Sequence, residues 1–153
     1  MKLTKIRFLT LVALIFVASC SSHKSMNNSQ KDSSRSSVSL VGTEWILTEL
    51  GGTAVVPNSK ASLSFLEPGR AAGNASCNRF TGSVTIAGMA IKFGQMASTR
   101  MACVDEAVSA QEYQYLKLLG EADRYEIRDN SLLIYVGDSD KPLRFSRQTS
   151  QQP

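Results

Sequence analysis

The sequence predicts an α+β domain made mostly of antiparallel sheet, an open or partly closed barrel of about eight strands with one covering helix. Three observations predict it. Short apolar–polar alternations recur along residues 38–147, and turn residues separate them at hairpin spacing. A single stretch of helix formers interrupts the series.

Residues 44–50 give the first alternation, with Trp45 and Leu47 on one face, Ile46, Thr48 and Leu50 on the other, and the Gly51-Gly52 turn signal at the end. Ala61, Leu63 and Phe65 alternate next, before Glu67-Pro68-Gly69, where proline presets φ and glycine accepts a positive φ. Further strands are expected at 71–75, 82–86, 90–93, 125–128, 132–136 and 143–147. Ala87-Gly88-Met89, Asp129-Asn130-Ser131 and residues 137–142 supply turns of hairpin length. Residues 105–119 read as the helix, with Val108, Tyr115, Leu116 and Leu119 apolar and Gly120 placed to end it. Asp105 and Glu106 then complement the positive end of the helix dipole rather than form an acid/base pair. No second linker or internal repeat divides this part, so residues 38–153 form one domain large enough for a single core.

Upstream of the domain, Lys2, Lys5 and Arg7, the apolar residues 8–17 and the small Ala18 and Ser19 make the three parts of a secretory signal peptide, residues 1–19. The apolar part is too short for the roughly 20 residues that a spanning helix needs, so it is an export address. Val17-Ala18-Ser19-Cys20 resembles the lipobox of bacterial lipoproteins. The resemblance implies cleavage before Cys20, a diacylglyceryl thioether on its sulfur and acylation of the new amino terminus by a chain such as palmitate. Ordinary signal cleavage beside an incidental cysteine is the alternative. Several acyl chains on one residue make membrane attachment stable where one is marginal. A serine after the lipidated position, here Ser21, implies sorting to the outer membrane, with the protein facing the periplasm. Residues 21–37 lack apolar periodicity and read as a flexible Ser-rich tether following Cys20. As a coil it reaches on the order of 20–25 Å. The one histidine, His23, lies in that tether and reads as solvated rather than catalytic.

The formal charge of +4 invites a nucleic-acid reading, but six of the 17 basic residues lie in the signal and tether. From Val38 onward 11 Lys and Arg face 12 Asp and Glu, with no basic stripe interleaved with aromatics, so nucleic acid is not an expected partner.

With Cys20 acylated, Cys77 and Cys103 remain. An even count in an exported domain favours a disulfide, because the periplasm is oxidising. Zinc is the alternative, for which two cysteines without a nearby histidine supply half of a structural site. A redox-active pair would normally sit as Cys-x-x-Cys, which this spacing does not.

Around those cysteines run Gly73-Asn74-Ala75-Ser76-Cys77-Asn78-Arg79-Phe80-Thr81-Gly82, then Phe93-Gly94, Met96-Ala97-Ser98-Thr99-Arg100-Met101-Ala102-Cys103, and Gln111-Glu112 before Tyr115-Leu116. With Gly42-Thr43-Glu44-Trp45 and Leu143-Arg144-Phe145, these stretches resemble the META domain of the HslJ family of bacterial heat-shock proteins. The resemblance covers essentially the whole domain. Ser76 departs from it, standing where the family commonly has glycine, and Val84 stands where an aromatic is usual. It implies an envelope lipoprotein of small α+β fold connected with heat shock and novobiocin resistance, and it brings no catalytic residues or cofactor.

Asn78, Arg79 and Arg100, with Thr81, Ser98 and Thr99 nearby, are the candidate binding residues, the two arginines serving as anion forks. The competing reading is that short polar residues beside glycines satisfy loop backbone groups and that arginines flanking a bridge serve local hydrogen bonding, and it is the stronger of the two. Met89, Met96 and Met101 read either as core fillers or as an adaptable contact surface. Enzyme readings lose their parts: no histidine in the domain, both cysteines expected to be bonded, and no glycine-rich phosphate loop after a strand. Only a carboxylate-based hydrolase, using Glu44, Glu49 or another acid, survives as a catalytic alternative. The leading expectation is a tethered, non-catalytic interaction module with an envelope protein partner. The runner-up is a small-molecule binder lined by sheet and helix.

Overall fold

The computed structural model describes residues 39–149, so the signal peptide, Cys20 and the tether expectation lie outside the described residues. Nine strands and one helix follow in order: β1 Thr43–Leu50, β2 Thr53–Ala54, β3 Ser62–Glu67, β4 Arg70–Asn74, β5 Arg79–Ala87, β6 Ala90–Ser98, α1 Glu106–Gly120, β7 Arg124–Arg128, β8 Ser131–Tyr135 and β9 Leu143–Arg147. Every pairing is antiparallel, and β1 pairs with β3 on one edge and β9 on the other, which closes eight strands into a barrel. The two-residue β2 is the extra strand, added to the end of β1.

The alternating residues of the sequence become the barrel interior. Trp45, Leu63, Phe65, Ile91, Leu132, Ile134, Leu143 and Phe145 are essentially inaccessible, and Tyr115 and Leu119 enter the same core from α1. Rings meet edge to face between Phe80 and Tyr115, with centroids 5.9 Å apart. Gly73 has to be glycine because β3 and the Phe80 ring crowd it: a Cβ there would strike the Ser62 carbonyl oxygen and sit 2.8 Å from the ring.

Three local differences from the sequence reading have physical causes. A register shift between Leu47 and Glu49 against β9 inserts Thr48 as an extra residue. Leu50 therefore turns onto the buried side with Trp45 and Leu47 instead of facing away. Gly120 is the last helical residue rather than a left-handed cap, and Glu121 caps with φ −97 while its N–H returns to Lys117. Strands β5 and β6 extend beyond the expected 82–86 and 90–93 because they pair along most of their length, to Phe80 opposite Ser98.

Antiparallel order gives the barrel two unlike ends. The chain enters at one end, where Gly42 N–H donates to Phe65 O (2.7 Å) beside the β3–β4, β5–β6 and β7–β8 turns. At the other end lie the β1–β2 turn, the β4–β5 loop with Cys77 and the β6–α1 loop with Cys103. The barrel is least continuous between β6 and β7, joined at the single register pair Ala90 and Arg124, and α1 lies along β6 beyond that point.

Candidate functional site

The candidate residues converge at the disulfide end. Asp105 starts α1 as its N-cap, with Oδ1 accepting from the N–H groups of Ala107 (2.8 Å) and Val108 (3.3 Å). From there the helical period turns Gln111, Tyr115 and Leu119 inward. Tyr115 donates its hydroxyl proton to Ser62 O at 3.0 Å, and burial holds its phenol pKa well above the usual range.

Cys77 and Cys103 are joined by a disulfide, with Cα atoms 5.9 Å apart. Glu112 stands beside it, so that two sulfurs and a carboxylate oxygen, three atoms of kinds that ligate metals, lie within 4.8 Å of one another. The sulfurs are bonded to each other, and the carboxylate is spoken for. Its Oε2 accepts from the backbone N–H groups of Cys77 (3.2 Å) and Asn78 (2.7 Å), and its Oε1 accepts from Asn78 Nδ2 at 2.7 Å. Asn78 is buried and saturated: Nδ2 also donates to Met101 O (3.2 Å), while Oδ1 accepts from Thr99 Oγ1 and Met101 N, both at 2.8 Å. Its amide positions the β4–β5 and β6–α1 loops and has no capacity left for a ligand.

A second polar cluster backs the first. Gln111 Nε2 donates to Ser59 Oγ (2.8 Å) and Ser76 Oγ (2.6 Å), and its Oε1 accepts from Val56 N–H at 2.6 Å. Ser76 carries φ 102, a region that favours glycine, and its hydroxyl bonds hold it there. That is the position at which the sequence departs from the glycine of its resemblance. Sequence reasoning did not assign roles to Glu112 and Gln111. The only available signal was their adjacency in the quoted Gln111-Glu112 pair, since spacing alone does not say which loops a helix face will meet.

Arg79 and Arg100 behave differently. Both are exposed, and among the described residues neither guanidinium has a hydrogen-bond or ion-pair partner. The structure brings them to the same loop pair, since Thr99 N–H donates to Arg79 O at 3.0 Å. Met101, Val104 and Tyr113 are also exposed, on the loop before α1 and on α1 itself. Of the other methionines, Met96 packs against the core and Met89 is exposed at the β5–β6 turn.

The space between helix and sheet is filled by Tyr115, Leu119 and the strand residues around them. A groove of about 470 Å³ lies instead on the outside at the β6–β7 seam, lined by Met89, Ala90, Asp123, Arg124, Gly137 and Asp138. Behind its wall, Asp123 Oδ1 is buried without a hydrogen-bond partner among the described residues. Arg124 does not supply one, because its guanidinium lies 3.8 Å from the Tyr135 ring centroid and binds Glu126 at 3.2 Å. Glu49 is engaged by Arg144 at 3.1 Å on the barrel wall, away from this groove.

The motif residues at the two chain ends also meet. Trp45 Nε1 donates to Thr43 Oγ1 at 2.7 Å, and Leu47 lies opposite Phe145, which joins Gly42-Thr43-Glu44-Trp45 to Leu143-Arg144-Phe145 across the closing pair of strands. A family model for the META domain matches residues 38–150. The chain belongs to the META domain family. Among solved structures, it is similar to the NMR structure of a protein from Burkholderia xenovorans, with 28% identity and a TM-score of 0.60, over 72% of this chain and 84% of that one. A second protein solved by NMR shares the fold with 22% identity and a TM-score of 0.57, over 70% of this chain and 90% of that one. No curated protein matched. The matched residues 38–150 take in the Cys77–Cys103 bridge, its Glu112 clamp and the strand pair that closes the barrel.

Proposed function

We propose that this META domain is a non-catalytic interaction module, anchored by lipid on Cys20 to the periplasmic face of the outer membrane, that binds an envelope protein under heat or drug stress. The observation that carries the reading is the surface beside the disulfide. Arg79, Arg100, Met101, Val104 and Tyr113 are exposed on backbone that the Cys77–Cys103 bridge and the Asn78–Glu112 hydrogen bonds hold in place. Arginine, tyrosine and methionine are the side chains enriched in protein interfaces, and a surface ordered in advance loses little entropy on binding. A photo-crosslinking residue in place of Tyr113, activated in intact cells, should give a discrete protein adduct that Arg100→Glu diminishes. A chain that gives no adduct at position 113, and none at Met101, would remove this reading.

A small-molecule reading is favoured by one observation, the seam groove of about 470 Å³ with the Asp123 carboxylate in its wall. A ligand with an ammonium or guanidinium group would pair with the accessible part of the Asp123 carboxylate in the groove wall. Alkylamines should then raise the melting temperature of the wild-type chain and leave Asp123→Asn unchanged.

A further inference from the structure

Seven large apolar side chains are exposed among the described residues, and they fall into two sets. Met101, Val104 and Tyr113 flank the disulfide. Val41, Leu66, Ile86 and Met89 all lie at the opposite end, where the chain enters the barrel. The pairing fixes that placement. Gly42 N–H donates to Phe65 O, which sets Val41 beside the end of β3 and Leu66. Val84 N–H donates to Gly69 O at 2.9 Å, and Ile86 opposes Ile91, so the β5–β6 hairpin projects past the β3–β4 turn on the same side. Apolar residues scattered singly over a surface need no account, but four at the tips of one end do. Leu66, on the bulged stretch of β3 before the turn, is the most exposed of the four at 62%.

We infer that this entry end docks onto the lipid bilayer, with Val41, Leu66, Ile86 and Met89 reaching into the headgroup boundary. The occupant follows from where the chain outside the structure leads. Residues 20–38 join the barrel at Ser39, at this end, and connect it to the acyl chains on Cys20. The inference rests on that lipid attachment and goes beyond it. At full extension these residues span up to about 65 Å, so the anchor alone would leave the domain free to tumble. Side chains that enter the boundary region, some 5–10 Å deep, fix its orientation. The disulfide end then points away from the membrane, towards the periplasm, which is where a protein partner can reach it.

The test uses the full mature chain, acylated by cells and reconstituted in vesicles of phosphatidylethanolamine and phosphatidylglycerol carrying brominated acyl chains. Leu66→Trp reports on the entry end and Tyr113→Trp on the far end, with the wild-type chain, whose Trp45 is buried, subtracted as background. Brominated lipid should cause roughly a twofold loss of emission from the tryptophan at position 66 and leave the one at position 113 unchanged. Intact mass, read on the same samples, reports the acyl chains on Cys20. An acylated chain with no quenching at 66, or with equal quenching at both positions, overturns the docking while the anchor stands. A mature chain without acyl mass overturns the anchor and the docking together.

Discussion

Glu112 grips Asn78 from two sides, accepting its backbone N–H on Oε2 and its side-chain amide on Oε1, each at 2.7 Å. A glutamine in its place would present one acceptor and an NH₂ group to the N–H donors of Cys77 and Asn78. Glu112→Gln should therefore cost about 1–3 kcal/mol despite its nearly identical shape. Denaturant melts of Glu112→Gln, Asn78→Ala and the double variant should show coupling, the double costing clearly less than the sum. Additive losses would mean that the pair does not act as a unit.

The Cys77–Cys103 bridge spans 26 residues of sequence and shares its loops with that pair. Removing it should lower stability by about 3–4 kcal/mol in the chain-entropy account. For a domain of this size that is a fall of about 10–20 °C in melting temperature. The Cys77→Ser/Cys103→Ser variant is the direct measurement, and reduction of the wild type should give the same shift.

Ser76 sets two effects against each other at φ 102. Glycine relieves the backbone and loses the hydroxyl that Gln111 and Ser59 use, whereas alanine loses the hydroxyl and keeps the strain. Ser76→Gly should therefore be more stable than Ser76→Ala by about 1–2 kcal/mol. Equal melting temperatures for the two variants would show that the backbone at this position carries no strain.

Tyr115 gives the fold an alkaline limit. Its phenol keeps its proton above the usual range in the folded state because it is buried, while the unfolded chain releases that proton near its ordinary pKa of about 10. Above that pH the unfolded state binds fewer protons, so stability, complete below it, falls as pH rises towards the folded pKa. Tyr125, raised by partial burial, acts in the same direction. Tyr115→Phe should lose about 1 kcal/mol at neutral pH through the missing bond to Ser62 O, yet decline less steeply above pH 10.

Arg79→Glu and Arg100→Glu distinguish a contact surface from a structural one. Neither side chain has a partner among the described residues, so each change should leave stability within about 0.5 kcal/mol. Loss of the Tyr113 crosslink at unchanged melting temperature assigns the arginines to the contact, and parallel loss of crosslink and stability assigns them to the fold.

Much of the barrel was legible because period-two alternation reports which side of a strand is buried: Ala61, Leu63 and Phe65 are inside as their spacing requires. The turn residues were equally legible where φ is positive, at Gly51, Gly52, Gly69, Gly88 and Gly137. Leu50 was not. A bulge at Thr48 reverses its face, and a bulge arises from the partner strand's register rather than from the strand's own sequence. The short β2 exists only as an addition to β1 and has too few residues to show a period.

The sequence by itself determined the alternating strands, the helix and the META signature, because each is written in local spacing and residue type. Closure of the sheet, the Glu112 clamp on Asn78 and the lack of partners for Arg79 and Arg100 among the described residues were decided only by the tertiary structure. All three depend on which distant segments meet. A polar residue's role is set by whether its hydrogen-bonding capacity is used up by neighbours far away in the chain, and Asn78 and Arg79, adjacent in sequence, end with opposite answers.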